Sequence, residues 1–327
     1  MAKALITSVP FAAQNSLPLE LLRNAGIEYL INPFNQKLTE DQLADLVADF
    51  DTIIAGTEPI TDRVMARASK LAHISRIGIG LDAVDLVAAR RRGIKVSYTP
   101  DAPAPAVAEL TLCVMLTLLR SVHVSNAQMH QGRWQRIFGR RLAETTVGII
   151  GMGRIGRRVA RLARAFGSPA ILANDLVPDD ALGADVDVRW VTKEQIYRGA
   201  DLISVHVPLT SLTKNMIRRE QLLSMKPDAM VINTSRGGII NERDLYDVMM
   251  AGHLSGAAID VFEQEPYCGP LVEIERCLLT AHMGSMSVDC RSRMEIEATE
   301  EAVGFLSGRP LEREVPQEEY DVQSQGL

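Results

Sequence analysis

Short apolar runs alternate with helix-period stretches along almost the whole 327-residue chain, the pattern of α/β layers built on parallel sheets. A first series of runs comprises Ala4 to Ile6, Thr52 to Ala55, Ile74 to Ile79 and Ile94 to Val96. The segment TPDAPAP then places three prolines between Pro100 and Pro105. Proline continues neither a strand ladder nor a helix interior, so this stretch predicts a hinge between two domains. Beyond it, Ala106 to Leu119 is apolar nearly all round at helical spacing, which predicts a helix buried on several sides, in a core or against a second subunit. A second series follows: Val147 to Ile150, Ala170 to Ala173, Leu202 to Val205, Met230 to Ile232, Gly256 to Ile259 and Leu278 to Thr280. The last helix, Val288 to Leu306, reads as a return to the first domain, and the polar stretch 317–327 as a disordered tail.

Composition narrows the class without changing this picture. The length suits two domains, and 46% hydrophobic with 23% charged residues describes a chain able to bury a real core. A net charge of −6 argues against nucleic-acid binding, which needs clustered cations. Arg133, Arg136, Arg140 and Arg141 do cluster, and read as a solvated face or an inter-domain rim. Cys113, Cys268, Cys277 and Cys290 show neither a CxxC pair nor metal-ligand spacing, so no metal and no disulfide framework are expected. The N-terminus lacks the apolar run of a signal peptide, and Leu110 to Leu119 falls well short of the roughly 20 residues a membrane span needs. A cytoplasmic protein without membrane or nucleic-acid partners is the expectation.

The strongest local signal is TTVGIIGMGRIGRRVARLARAFG. A buried strand runs into Gly151-Met-Gly153-Arg-Ile-Gly156 and then a helix, with Ile155, Val159, Leu162 and Phe166 on one face and Arg157, Arg158, Arg161 and Arg164 outward. Gly151 permits the tight turn, Gly153 lets backbone approach a pyrophosphate, and Gly156 allows close helix–strand packing. The helix N-terminus offers N–H groups and partial positive charge to the phosphates. Asp175 closes the next strand, where a carboxylate accepts ribose hydroxyls and repels a 2′-phosphate, favouring NAD over NADP.

In open α/β sheets ligands lie beyond the carboxyl ends of the strands. Those ends read Asp175, His206-Val-Pro208, Asn233-Thr-Ser-Arg236-Gly237, Asp260 and His282-Met-Gly284. Hydride transfer to a carbonyl needs a held carboxylate, a polarised carbonyl oxygen and a proton. Arg236 suits the first two, because guanidinium is permanently charged and can engage two oxygens together. A histidine suits the third, and Glu265 in DVFEQEP is available to fix its tautomer. His73, His123, His130 and His253 sit in helical or turn contexts. His206 and His282 both follow strands; the small residues Gly284 and Ser285 favour His282, while His206 could simply line the cofactor site.

With these residues the chain resembles the D-isomer-specific 2-hydroxyacid dehydrogenase family, in its phosphoglycerate dehydrogenase-like branch. RIGIGLDAVD (76–85), PAVAEL (105–110), GIIGMGRIG (148–156), INTSRGGIIN (232–241), AAIDVFEQEP (257–266) and TAHMGS (280–285) carry the likeness. It implies two doubly wound parallel-sheet domains, a Rossmann-type NAD domain (100–287) inserted into a flavodoxin-like substrate domain (1–99 with 288–316). It implies Arg236, Glu265 and His282 as the catalytic set. The substrate carboxylate would be held by Gly78, Ile79 and Gly80 with Arg236, and Ser285 would line the same pocket. The cofactor would be met by Gly151, Gly153, Arg154, Ile155, Gly156, Asp175, His206, Pro208, Thr213, Thr234, Asp260, His282 and Gly284, with Asp260 at the nicotinamide carboxamide. A homodimer joined through the 106–120 helix, no metal, and a small 2-oxo or 2-hydroxy acid as substrate complete the implication.

Two departures from the family pattern matter. The family's phosphoglycerate enzymes commonly place an Arg in the loop after the third strand, where this chain reads AGTEPIT. Either Glu58 faces the substrate, which puts a phosphorylated substrate in doubt, or it points away into solvent. Arg141, Glu144 and Thr145 stand where relatives usually have Glu, Gly and Lys. With the chain ending soon after LSGRPLEREVP, no C-terminal regulatory domain is expected. An NAD(H)-sensing corepressor and an enzyme for an unusual acid, such as a phosphonate, are the alternative readings.

Overall fold

In the computed structural model, which describes residues 1–167, 169–179, 182 and 186–325, the chain divides into two compact units, Met1–Pro103 with Ser287–Leu327, and Ala104–Met286. The first unit opens with β1 (Lys3–Ile6), α1 (Leu17–Asn24), β2 (Glu28–Ile31), α2 (Glu40–Leu46), β3 (Thr52–Ala55), α3 (Asp62–Arg67), β4 (His73–Arg76), α4 (Leu86–Arg91) and β5 (Lys95–Tyr98). Its five strands are parallel in the order β2-β1-β3-β4-β5. Central strands β3 and β4 are wholly buried, as strands covered by helices on each side are; β3 is largely apolar (TIIA), whereas β4 carries buried His73, Ser75 and Arg76. β2 was not among the expected runs. It is an edge strand whose residues alternate exposed and half-buried, although Tyr29, Leu30 and Ile31 form a short apolar run.

The second unit holds α5 (Ala104–Leu119), α6 (Val122–His130), β6 (Thr146–Ile150), α7 (Arg154–Arg164), β7 (Ala170–Asn174), β8 (Val188–Trp190), α8 (Lys193–Gly199), β9 (Leu202–Val205), α9 (Arg219–Ser224), β10 (Met230–Asn233), α10 (Glu242–Met250), β11 (Gly256–Ile259) and β12 (Cys277–Leu279). All seven strands are parallel, in the order β12-β11-β10-β9-β6-β7-β8. The order reverses between β6 and β9, the place where doubly wound sheets open a crevice for a ligand. The short edge strand β8 also escaped the apolar pattern, since VRW contributes only two hydrophobes. On α5 the buried positions include Val107, Ala108, Thr111, Leu112, Val114, Met115 and Leu118, so most of this helix is core of its own unit. Glu109 and Cys113 form its exposed side. Among the described residues no single helix is long and apolar enough to cross a membrane.

The chain then returns to the first unit with α11 (Val288–Leu306) and α12 (Gln317–Ser324). Buried His73 at the start of β4 stacks on Phe305 of α11, with ring centroids 4.7 Å apart, and its nitrogens meet Thr52 and Ser97 at 3.0 Å each. α12 corrects the expected disordered tail for 317–325; residues 326–327 lie outside the described residues. The stretch is polar, but Tyr320 is buried, with the Arg90 guanidinium 4.0 Å over its ring. Gln323 accepts from Leu86 N at 2.6 Å and donates to Val84 O at 2.9 Å, so it caps α4 and anchors the helix.

Candidate active site

The turn after β6 is shaped by what cannot fit. A Cβ on Gly156 would sit 2.0 Å from Gly151 O, and one on Gly151 (φ 96°) would sit 2.5 Å from His206 O. Gly153 is exposed with open space around it, and caps the N-terminus of α7. Asp175 Oδ2 accepts from Met152 N at 2.6 Å, so the carboxylate that ends β7 also braces the turn. The buried face of α7 is Gly156, Val159, Ala160 and Ala163, with Ile155 and Leu162 partly buried against the same core. Phe166 does not join that face as expected: α7 ends at Arg164, and Phe166 lies beyond the cap, exposed. Arg154 is exposed, while Arg157 is held by Met152 O and Asp179, each at 2.7 Å.

His206 ends β9 directly opposite this turn, its N–H donating to Ile150 O at 2.7 Å. Its Nε2 meets Ser204 Oγ at 2.9 Å, and its buried Nδ1 has no partner among the described residues. Burial pushes the imidazole down to about 4, so it is uncharged at neutral pH. Thr213 Oγ1 donates to Pro208 O at 2.6 Å and accepts from Thr210 N at 2.8 Å, closing the 208–213 turn. Open space at Gly153, a helix N-terminus, a carboxylate after β7 and an orphaned buried nitrogen at the strand reversal fit a dinucleotide.

The catalytic candidates come from three neighbouring strand ends. Glu265 and His282 are brought together: Nδ1 lies 3.1 and 3.0 Å from the two carboxylate oxygens, with side chains 38% and 29% exposed for His and Glu. Nδ1–H therefore donates to the carboxylate, which leaves Nε2 as the position that exchanges a proton. Phe262 N donates to Glu265 Oε1 at 3.1 Å. Nearby Glu242 is pushed above the usual carboxylate range by burial, then by the charges of Glu263 and Glu265.

Arg236 lies half-buried in the loop after β10, its Nη1 donating to Ser235 O at 2.7 Å. Asn233 braces that loop, donating to Arg236 O at 2.7 Å and accepting from Ser235 N and Oγ at 3.1 and 2.9 Å. A Cβ on Gly237 would lie 2.0 Å from Phe262 C, so this loop packs flat on the segment leading to Glu265. Neither Asn233 nor Gly237 was assigned a task from sequence; an Asn ending a strand and a glycine after Arg236 were the available signals. Thr234 is buried, its hydroxyl 2.8 Å from Thr111 of α5. Asp260 is buried within the chain's own hydrogen bonds, including one at 2.9 Å from the backbone N–H of buried Gly284; Ser285 is half-buried.

Gly78, Ile79 and Gly80 belong to the first unit, in the loop after β4. Gly78 (φ 123°) receives Thr99 Oγ1 on its N–H at 2.7 Å and lies over the buried Arg76 side chain. Glu58 corrects the alternative that it points into solvent. It is 2% exposed, bonded to the Thr7 hydroxyl, and accepts from Gly56 N at 2.9 Å. Thr7 follows β1 and Gly56 follows β3, so Glu58 sits at the strand reversal of the first sheet. Of the arginine cluster, half-buried Arg140 pairs with buried Asp201 and exposed Asp228, whereas Arg141 pairs with Glu144 on an exposed face.

A family model described as D-isomer specific 2-hydroxyacid dehydrogenase, NAD binding domain, matches residues 112–284. The chain is 35% identical to a hydroxypyruvate reductase from Thermotoga maritima, over 81% of this chain and 88% of that one. It is also 35% identical to a D-3-phosphoglycerate dehydrogenase from Methanocaldococcus jannaschii, over 85% of this chain but only 54% of that longer one. The crystal structure of the TT0316 protein from Thermus thermophilus superposes with a TM-score of 0.87 at 33% identity, covering 96% of this chain and all of that one.

Proposed function

The chain belongs to the D-isomer specific 2-hydroxyacid dehydrogenase family and is an NAD-dependent oxidoreductase; from that premise we propose that it reduces a small, unphosphorylated 2-oxo acid to the (R)-2-hydroxy acid, with His282 as acid/base, Glu265 as its partner and Arg236 as substrate anchor. The observation that carries this reading is the bifurcated His282 Nδ1–Glu265 contact at the end of the sheet that also bears the glycine turn. When bound, the nicotinamide supplies or accepts the hydride. The Gly151–Gly156 backbone and the α7 N-terminus would hold the pyrophosphate, and Asp175 the adenosine ribose. Arg236 neutralises the substrate carboxylate and polarises the carbonyl oxygen. His282 Nε2 delivers the proton to the carbonyl oxygen and retrieves it in the reverse direction, while Glu265 balances the imidazolium charge. His206, uncharged at neutral pH and without a carboxylate partner among the described residues, suits lining the cofactor site.

The absence of a distal phosphate follows from Glu58. A buried carboxylate at the carboxyl ends of β1 and β3, one strand away from the Gly78 loop, is an unfavourable neighbour for a second anionic group. The hydroxypyruvate reductase relative supports the same substrate class. Steady-state rates on hydroxypyruvate, glyoxylate, phenylpyruvate, 3-phosphohydroxypyruvate and a phosphonate, each with NADH and NADPH, test the reading. Hydroxypyruvate or glyoxylate with NADH should lead; preference for the phosphorylated acid or the phosphonate would overturn the substrate class.

We also infer a cytoplasmic homodimer. Cys113 on α5, Val122 and Met129 of α6, and Trp134 and Phe138 beyond it are all exposed, Trp134 at 78% and Phe138 fully. Large exposed apolar side chains so close in sequence suit a pairing surface. A Trp134→Glu/Phe138→Glu chain should sediment as a monomer.

A further inference from the structure

Asp260 follows β11 and is 1% exposed, yet its carboxylate is engaged by one short segment of the chain. Oδ1 accepts from Thr280 Oγ1 at 2.5 Å and from Met283 N at 2.7 Å, and Oδ2 accepts from Gly284 N at 2.9 Å. Its backbone carbonyl accepts from His282 N at 2.8 Å. Four donors from residues 280, 282, 283 and 284 thus converge on one residue, and His282 lies in their midst. His282 itself adopts φ 51°, the left-handed region that a non-glycine residue occupies only when its surroundings over-determine it. The loop has little room to relax elsewhere: a Cβ on Gly284 would stand 3.3 Å from both Asp260 Oδ2 and Val107 Cγ2.

We propose that Asp260 is the positioning residue of the acid/base: its carboxylate clamps the 280–284 loop in the left-handed turn that aims His282 at Glu265 on one side and at the substrate carbonyl on the other. The inference rests on the reading of His282 as acid/base. Three hydrogen bonds from its own chain engage both carboxylate oxygens and leave one of their roughly four lone-pair sites over, so the clamp is a task beside, and not instead of, the expected contact with the nicotinamide carboxamide. In Asp260→Asn the amide NH₂ would confront at least one of these donors, and the loop would lose its template while β11 and β12 remain paired. A displacement of the imidazole of about 1 Å costs on the order of 10²-fold in rate.

The test measures kcat and KM for hydroxypyruvate, NADH dissociation by fluorescence, and melting temperature, for wild type, Asp260→Asn, His282→Ala and the double variant. The expected result for Asp260→Asn is a kcat loss of about 10²-fold with NADH affinity nearly unchanged. The double variant should be no slower than His282→Ala, because a residue acting through His282 has nothing left to position. Weakened NADH binding with near-normal kcat at saturation would overturn the proposal in favour of a cofactor contact. An additive loss in the double variant would overturn it equally. Should Asp260→Asn fail to fold, Thr280→Val removes one donor and decides: a several-fold fall in kcat at constant NADH affinity supports the clamp, an unchanged kcat sinks it. Full turnover in His282→Ala would instead refute the acid/base reading itself, so the two failures are distinguishable.

Discussion

The chain contains two parallel sheets that reverse their strand order in the same way, and finishes their carboxyl ends differently. At the β6/β9 reversal the end is made of backbone: Gly151 packs against His206 O, Gly156 against Gly151 O, and Gly153 is left open. At the β1/β3 reversal the end is made of side chains: Glu58 takes the Thr7 hydroxyl and Gly56 N, and Asn32 Nδ2 donates to Thr7 O at 3.0 Å. Arg291 adds a bond from Nη2 to Ser8 Oγ at 2.6 Å. Topology says where a crevice can form, and residue type decides whether it offers N–H groups to a phosphate or is sealed by its own polar contacts. We propose on this ground that the first of these ends receives pyrophosphate and the second refuses an additional anion.

That contrast can be broken at either end. The largest effect belongs to the second unit: His282→Ala should lower turnover by about 10²–10⁴-fold, as loss of a general acid does, with NADH affinity preserved; rapid-mixing kinetics would show it. Acid stability is the next effect. Burial pushes His73 down to about 3 and His206 to about 4, below the ordinary value of 6.5. The unfolded chain then binds protons that the native state refuses, so the histidine contribution is whole above pH 6.5 and is lost progressively as pH falls toward 4 and 3. Each imidazole contributes on the order of a few kcal/mol, and urea midpoints measured across this window should fall less steeply in His73→Asn.

Smaller effects separate the two ends directly. In Gly156→Ala the new methyl meets backbone, not a yielding side chain; overpacking of that kind costs about 3 kcal/mol of stability in urea, and the shifted turn should weaken NADH binding in titration as well. Thr7→Val removes one donor to Glu58 and should cost only about 1–2 kcal/mol of stability in urea, with NADH affinity untouched. If Thr7→Val weakened NADH binding as much as Gly156→Ala, the division of labour between the ends would be wrong.

The same contrast explains what the sequence made legible. Gly151, Gly153 and Gly156 lie within six consecutive residues between a buried strand and an amphipathic helix, so their joint task reads off the chain. Arg236, Glu265 and His282 stood out as chemically apt residues beyond apolar runs, although reading residues alone left His206 in contention with His282. The seal on the first sheet joins Thr7 to Glu58, and the clamp joins Asp260 to the 280–284 loop. Both depend on pairings between residues distant in sequence, which no local pattern encodes. Edge strand β8 and the tail helix α12 were missed for a related reason. Their stability comes from ladder bonds and from single contacts such as Tyr320 under Arg90, not from an apolar run.

The central claim is that this chain reduces a small 2-oxo acid with NADH, handing it the hydride on one face only. The most direct measurement is chiral analysis of the product formed from hydroxypyruvate and NADH. The account predicts (R)-glycerate alone, formed in step with NADH consumed; (S)-glycerate, or no NADH consumption, would contradict it.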